Sequence, residues 1–316
     1  MFAARGIAIC LSVFAILYAA LSVAVILTWR HLGFYKRRLS PRRSANLLFL
    51  WRMFPLAAAA GATLFLAVPS FVLLEPRTIH EPIGALPLGL GIGALMILVG
   101  GGANALLSLA RASQAIARWQ SGGVPVEQSG SVPFLRVSQS LPAPVTAGIL
   151  WPKVLLSREA EHLLTPQELT TSLRHEWAHV RRYDNLRKLI LRLVAFPGMA
   201  ELETFWREFS EMAADDAAVS SASEALDLAA ALIKISRSRP LQAPGELITA
   251  LVHSPAASVN ARVERLMTWG ERAQFPTRRF APWYSAAAAL AMVGGVALIY
   301  GQLLVMVHAA TEWLVR

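Results

Sequence analysis

Residues 165–184 read TPQELTTSLRHEWAHVRRYD, and the fold of the middle of the chain turns on this stretch. Thr165 and Glu168 form a T-x-x-E capping box with Pro166 at the first helical position, a strong start signal for a helix. That helix runs on through Leu169, Leu173, Trp177 and Val180. His175 and His179, four residues apart, leave the same face about one turn from each other. With Glu176 they spell H-E-x-x-H, and two imidazoles so placed can each point a nitrogen at one Zn²⁺ about 2.0–2.1 Å away. Glu176, one residue on, stands beside the open coordination position instead of facing the metal. The competing reading is a pair of histidines on a polar helix with no ligand, and the capped helix around the motif weighs against it.

A catalytic zinc needs a third protein ligand and one open position. Downstream the acidic candidates are Asp184, Glu201, Glu203, Glu208, Glu211, Asp215 and Asp216. Residues 201–219 read as a helix with Leu202, Phe205, Trp206, Phe209, Met212 and Ala213 on its apolar side. Glu208, Glu211 and Asp215 share the adjacent strip, and spacing alone leaves Glu208 and Glu211 equal. Upstream, short extended stretches at 132–138, 144–149 and 153–157 predict strands, after a Gly/Ser/Pro-rich link that runs from Ser121 to Gly130. Further on, His253 before a helix-like 259–267 and Arg262 in it are candidate oxyanion donors, against a plain surface role. Residues 186–194 place Leu186, Leu189, Ile190, Leu193 and Val194 on one helical side. Arg187, Lys188 and Arg192 lie off that side, as in a helix on an anionic lipid surface or a buried helix with a basic rim.

The rest of the chain is of another kind. The fraction of hydrophobic residues is 55%, only 16% are charged, and the mean hydropathy is +0.47, values extreme for a soluble protein. Apolar runs at about 6–29, 54–74, 83–110 and 283–307 are each long enough to cross a bilayer. The first is too long for a signal-peptide core and reads as a retained span. Trp29, Trp51, Trp283, Tyr284 and Trp313 lie near span ends, where amphipathic rings sit at the interface. The division expected is residues 1–110 with three spans and a basic loop, 111–282 as an inserted domain, and 283–316 with the fourth span and a short tail.

The net charge of +10 does not point to nucleic acid. Residues 111–282 hold 20 Lys/Arg against 17 Asp/Glu, and most of the excess falls at Arg30, Lys36, Arg37, Arg38, Arg42, Arg43 and Arg52. A basic loop between spans is a topogenic signal. It places residues 30–52 and 111–282 in the cytoplasm and both termini outside. Cys10 is the single cysteine, so no disulfide can form within the chain and no thiolate metal cluster exists.

The motif at His175–His179, then Arg181, Arg182, Tyr183 and Asp184, and then Glu211-Met-Ala-Ala-Asp215-Asp216-Ala217 resembles the M56 family of membrane metallopeptidases. That family includes the proteolytic half of bacterial beta-lactam sensor-transducers. The lead-in around Pro144, Gly148 and Pro152 to Ser157 is similar to the family's as well. The resemblance implies Glu211 as third zinc ligand and a supporting role for Asp215, orienting a ligand imidazole through its other N–H. It implies a helical multi-pass membrane protein with an inserted cytoplasmic α+β, zincin-like (gluzincin-like) domain in a bacterial-type inner membrane. The implied activity is a zinc endopeptidase that cleaves protein or peptide substrates. Glu176 would be its base, and its partners would be membrane lipid and a cytoplasmic repressor or another sensor protein, with self-cleavage as a variant. The sensor-transducers place a penicillin-binding sensor after the fourth span, whereas this sequence stops about nine residues beyond it, so the expectation is an input from elsewhere. The alternatives are a quality-control protease similar to the M48 family and a non-catalytic membrane transducer with a vestigial site.

Overall fold

The computed structural model describes residues 2–32, 39–76, 84–120, 123–126, 132–138, 141, 143–193, 196–238, 249–250, 256–269 and 282–315. Among these, four helices are long and apolar enough to cross a membrane. They are α1 (Phe2–Leu32), the run formed by α2 (Pro41–Ala62), a π-helical turn (Thr63–Ala67) and α3 (Val68–Leu74), then α4 (Ala85–Gln120), and the last helix, Pro282–Val315. The chain divides into two compact units: residues 1–33, 53–100 and 275–316 form the first, residues 34–52 and 101–274 the second. The second unit therefore takes in part of the basic loop and the end of α4, beyond the 111–282 drawn from composition.

In the first unit, apolar side chains face outward and hydroxyls tie helices together inside, as membrane helix packing requires. Ser12 Oγ donates to the Pro87 carbonyl at 2.7 Å and Ser70 Oγ to the Leu304 carbonyl at 2.9 Å. Gly91 lets α4 approach α1 closely, since a Cβ there would meet the Ala8 carbonyl oxygen at 3.2 Å. The π turn sits just before Pro69, whose ring nitrogen cannot donate to the Phe65 carbonyl one turn back. The Tyr300 hydroxyl donates to that carbonyl instead, at 2.6 Å.

The second unit is built on a small mixed sheet. Its strands are β1 (Val124–Val126), β2 (Phe134–Val137), β3 (Val145–Ala147), β4 (Lys153–Ser157) and β5 (Thr249–Ala250), in the order β1-β2-β4-β3-β5. β2 and β4 run parallel and the other pairs antiparallel. Both faces of β4 are buried, which its alternation makes possible. Val154 and Leu156 pack with Phe134, Ala160 and Leu173, whereas Leu155 packs with Val145, Ala147 and the α4 residues Ala115 and Trp119. α4 runs on past residue 110 because Ala112, Ala115 and Trp119 cover this second face.

The helices of this unit are α5 (Arg158–Leu163), α6 (Pro166–Arg182), α7 (Asp184–Arg192), α8 (Ala200–Ala218), α9 (Ala222–Arg237) and α10 (Ala256–Met267), and the last span is α11 (Pro282–Val315). The capping box of α6 forms as its residues predict: Glu168 N donates to Thr165 Oγ1 at 3.3 Å, and Thr165 N to Glu168 Oε2 at 2.9 Å. α7 packs against protein on several sides. Arg187 donates to Asn46 Oδ1 at 2.9 Å and lies over the Phe49 ring, Leu186 and Leu189 meet Ala112 and Ile149, and Asn104 donates to the Arg192 carbonyl. For the described residues 186–193 the buried-helix reading fits these contacts better than a helix laid on lipid, and Val194 lies outside the described residues.

The β3 edge of the sheet carries β5, paired at Val145↔Ala250 and Thr146↔Thr249. The pairing partner lies a hundred residues downstream, in a two-residue strand too short to carry any periodic pattern.

Candidate metal centre

α6 crosses the sheet with His175, Glu176 and His179 turned inward, all three at 2% exposure or less. A hydrogen bond from Thr146 Oγ1 on β3 to the Glu176 carbonyl, 3.0 Å, fixes the helix against the strand. Asn185 Nδ2 holds the same strand from the other side through the Thr146 and Gly148 carbonyls, at 3.2 and 3.0 Å. α8 packs its buried Leu202, Trp206, Ala213 and Ala214 into the unit and thereby turns Glu211 toward the two histidines.

The two Nε2 atoms stand 3.1 Å apart. Glu211 Oε2 is 3.5 Å from His175 Nε2, and its Oε1 is 3.6 Å from His179 Nε2. A tetrahedral site with bonds of about 2.0–2.1 Å has ligand-to-ligand edges of about 3.3–3.4 Å, so the triangle has the size that zinc needs. The donor set of two imidazoles and a carboxylate is zinc-like too. Glu208, which spacing left equal to Glu211, is not in the group of atoms that converge.

Each imidazole is gripped on its far side. His179 Nδ1 lies 2.6 Å from Asp184 Oδ2, and that oxygen also accepts from Ser210 Oγ at 2.9 Å. His175 Nδ1 lies 3.0 Å from Asp215 Oδ1. Carboxylates on both Nδ1 atoms set the tautomer: the protons sit on Nδ1 and the lone pairs on Nε2. Two lone pairs facing at 3.1 Å repel unless a cation or a proton lies between them.

Arg262, 1% exposed, comes in from α10. It donates to Asp215 through Nε and Nη2 at 2.8 and 2.7 Å, and its Nη1 is 3.0 Å from Glu211 Oε2. A planar guanidinium suits this double grip, which links Glu211 to the carboxylate beside His175 Nδ1. The structure thus sets Arg262 on Asp215 behind His175 and on Glu211 at the Nε2 triangle. His253 lies outside the described residues.

The electrostatics follow from these contacts. Burial works against the charge on His175, but hydrogen bonds to Asp215 and Glu211 outweigh it and push the imidazole up to about 9. Burial raises Glu211, yet His179 and Arg262 pull it down to about 2. Arg262 holds the buried Asp215 far below the usual carboxylate range. The pocket therefore demands positive charge at the Nε2–Glu211 triangle. Glu176 goes the other way, since burial raises its carboxyl more than His179 and His175 lower it. Both its oxygens are buried without a hydrogen-bond partner among the described residues.

Sequence reasoning missed the tasks of Asp184, Thr146, Asn185 and Ser210. Asp184 alone had a signal, its place directly after the motif helix. Tyr183 closes that helix with φ 52°, the left-handed conformation, and so reverses the chain and brings Asp184 back under His179. Lys188 on α7 also feels Glu211 and Asp184, while burial lowers its pKa.

Residues 123–266 match the family model described as BlaR1 peptidase M56, which bears out the resemblance read from the motifs. No curated protein matches the chain.

Proposed function

We propose, on the premise that residues 123–266 form an M56 peptidase domain, that the chain is a membrane-bound zinc endopeptidase acting on protein substrates. The observation that carries this reading is the facing pair of Nε2 atoms at 3.1 Å, with Glu211 closing the triangle and a carboxylate behind each imidazole. His175, His179 and Glu211 would hold the zinc. When bound there, zinc supplies a Lewis acid for the scissile carbonyl and makes water acidic enough to attack at neutral pH. Glu176 takes the proton of the attacking water and delivers it to the leaving amine. Its burial keeps competing solvent away and raises its proton affinity, which suits a base that must hold the proton briefly. Asp184 and Asp215 orient the imidazoles, and Arg262 keeps Asp215 and Glu211 charged.

Peptide binding by strand addition fits the sheet. β5 is an extended segment seated antiparallel on β3, so that edge accepts such a partner, and a substrate strand would pair beyond β5 or in its place. The basic residues 30–52 support a cytoplasmic second unit. Reporter fusions near Arg43 and Ser223 should then read cytoplasmic and a fusion at Trp313 external, and a cytoplasmic Trp313 would overturn this topology.

The test of the activity is Glu176→Gln, assayed in membranes for zinc content, protein yield and cleavage of a co-expressed candidate substrate. Gln keeps the shape but cannot accept the proton, so cleavage should fall about 10²–10⁴-fold with zinc retained. Undiminished cleavage with zinc in place would sink the mechanism. Loss of zinc and yield together would make Glu176 a structural residue.

A further inference from the structure

Four ionisable side chains meet at one end of the first unit, among helices that are otherwise apolar. Arg5 comes from the start of α1, Glu75 follows α3 directly, and His308 and Glu312 lie near the end of α11. Arg5 Nη1 is 3.3 Å from Glu75 Oε1 and Nη2 is 3.8 Å from Glu312 Oε1, while His308 Nδ1 stands 4.0 Å from Glu75 Oε2. The Arg5 and Glu75 side chains are 6% and 3% exposed. One ligand atom each from Glu75, His308 and Glu312 lies within 4.8 Å of the others. Ionisable groups in membrane helices are costly, and those that persist mark functional sites.

Two observations separate this group from a salt bridge that merely joins helices. Among the described residues, two carboxylates against one guanidinium leave one negative charge whenever His308 is neutral. Nδ1 of His308 is buried, faces Glu75 and makes no hydrogen bond.

We propose that Glu75, His308 and Glu312 form a second metal site, for a divalent transition-metal cation, and that Arg5 is the resident counter-charge this cation displaces. One imidazole nitrogen and two carboxylate oxygens suit Zn²⁺ or Mn²⁺, and no thiolate is present to favour softer ions. A dication balances the two carboxylates completely, which Arg5 alone does not. Metal and the Arg5 ion pair exclude each other, so loading the site unties α1 from Glu75 and α11. On the topology proposed above this end faces outside and samples external metal. That clause rests on the topology and falls with it, whereas the metal count does not.

The experiment uses the full-length chain carrying His175→Ala and His179→Ala, which lacks the histidine pair of the second unit. Stripped of metal in lipid nanodiscs, it is titrated with Zn²⁺ alone. One Zn²⁺ per chain should remain, and it should be lost on adding His308→Ala or Glu312→Gln. Arg5→Gln should tighten binding, because the competitor is gone. A folded parent that holds no Zn²⁺ overturns the proposal, as does an Arg5→Gln chain that binds more weakly. A group that responds to pH in thermal melts without taking up zinc also overturns it. Should His308→Ala fail to fold, Glu312→Gln and Arg5→Gln still decide, since they must move the affinity in opposite directions. None of these outcomes depends on whether the chain is a peptidase.

Discussion

The His175–His179–Glu211 group and the Glu75–His308–Glu312 group use the same side-chain types in opposite ways. In the first, each imidazole has a carboxylate on its far nitrogen, and one buried guanidinium braces Glu211 together with Asp215. In the second, the guanidinium lies against the would-be ligands themselves, and the nearest carboxylate oxygen of Glu75 stands 4.0 Å from the imidazole Nδ1. Arginine behind the ligands fixes a triangle of donors, while arginine among them competes with whatever the donors would bind. A held site suits chemistry that needs the same geometry at every turnover, and a contested site suits exchange.

The comparison breaks most visibly at the two arginines. Arg262→Ala leaves two buried carboxylates without their cation and should cost about 3–5 kcal/mol of stability, with zinc lost as well. Arg262→Lys, a point charge with no fork, should restore only part of both. Arg5→Ala should cost less, about 1–3 kcal/mol, because Glu312 is 35% exposed and water can reach it. Chemical melts of the variants with zinc analysis check the pair, and equal losses would erase the distinction. The next effect concerns the groups behind the histidines. Asp184→Asn should weaken zinc binding about 10–100-fold by loosening His179, with the fold kept. Glu75→Gln should leave the zinc affinity of the His175 site unchanged, and competition with a chelator measures both. The smallest effect calibrates the rest: Arg174→Ala removes a surface pair with Glu224 at 2.7 Å and should change stability by less than about 1 kcal/mol.

How much could be read in advance differs in the same way between the two groups. α6 was legible because its start signal, its apolar period and its chemistry lie within twenty consecutive residues. The four spans were legible from hydropathy, though their ends were not. Apolar length measures the bilayer, whereas α4 continues on Ala112, Ala115 and Trp119, which pack against a sheet that local sequence does not announce. Glu211 could not be told from Glu208 by spacing, since the choice depends on how Trp206 and Ala214 seat α8 against the rest of the unit. Arg262 was noticed for its charge, but its task follows from where α10 docks. β1 and β5 are three and two residues long and exist through their pairing alone. The Arg5 group gathers Arg5, Glu75 and the pair His308 and Glu312 from three places at least 70 positions apart, and only the four-residue spacing of that pair hints at it.

The π turn at Thr63–Ala67 bears on that last group in a way that concerns rotational phase. Such a turn holds one residue more than an α-helical turn, so the helices before and after it stay in step although the chain between them is one residue too long. Ironing the turn into regular α-helix without shortening it would rotate everything downstream by about 100°. Ser70, Phe71 and Glu75 would swing away together from Leu304, Phe2 and Arg5, which they now meet. Deleting one residue from the turn, such as the exposed Leu64, would straighten the helix and leave all three partners in place. The surplus residue thus acts as a phase adjuster for the membrane helices, tolerated where it is and disruptive if moved.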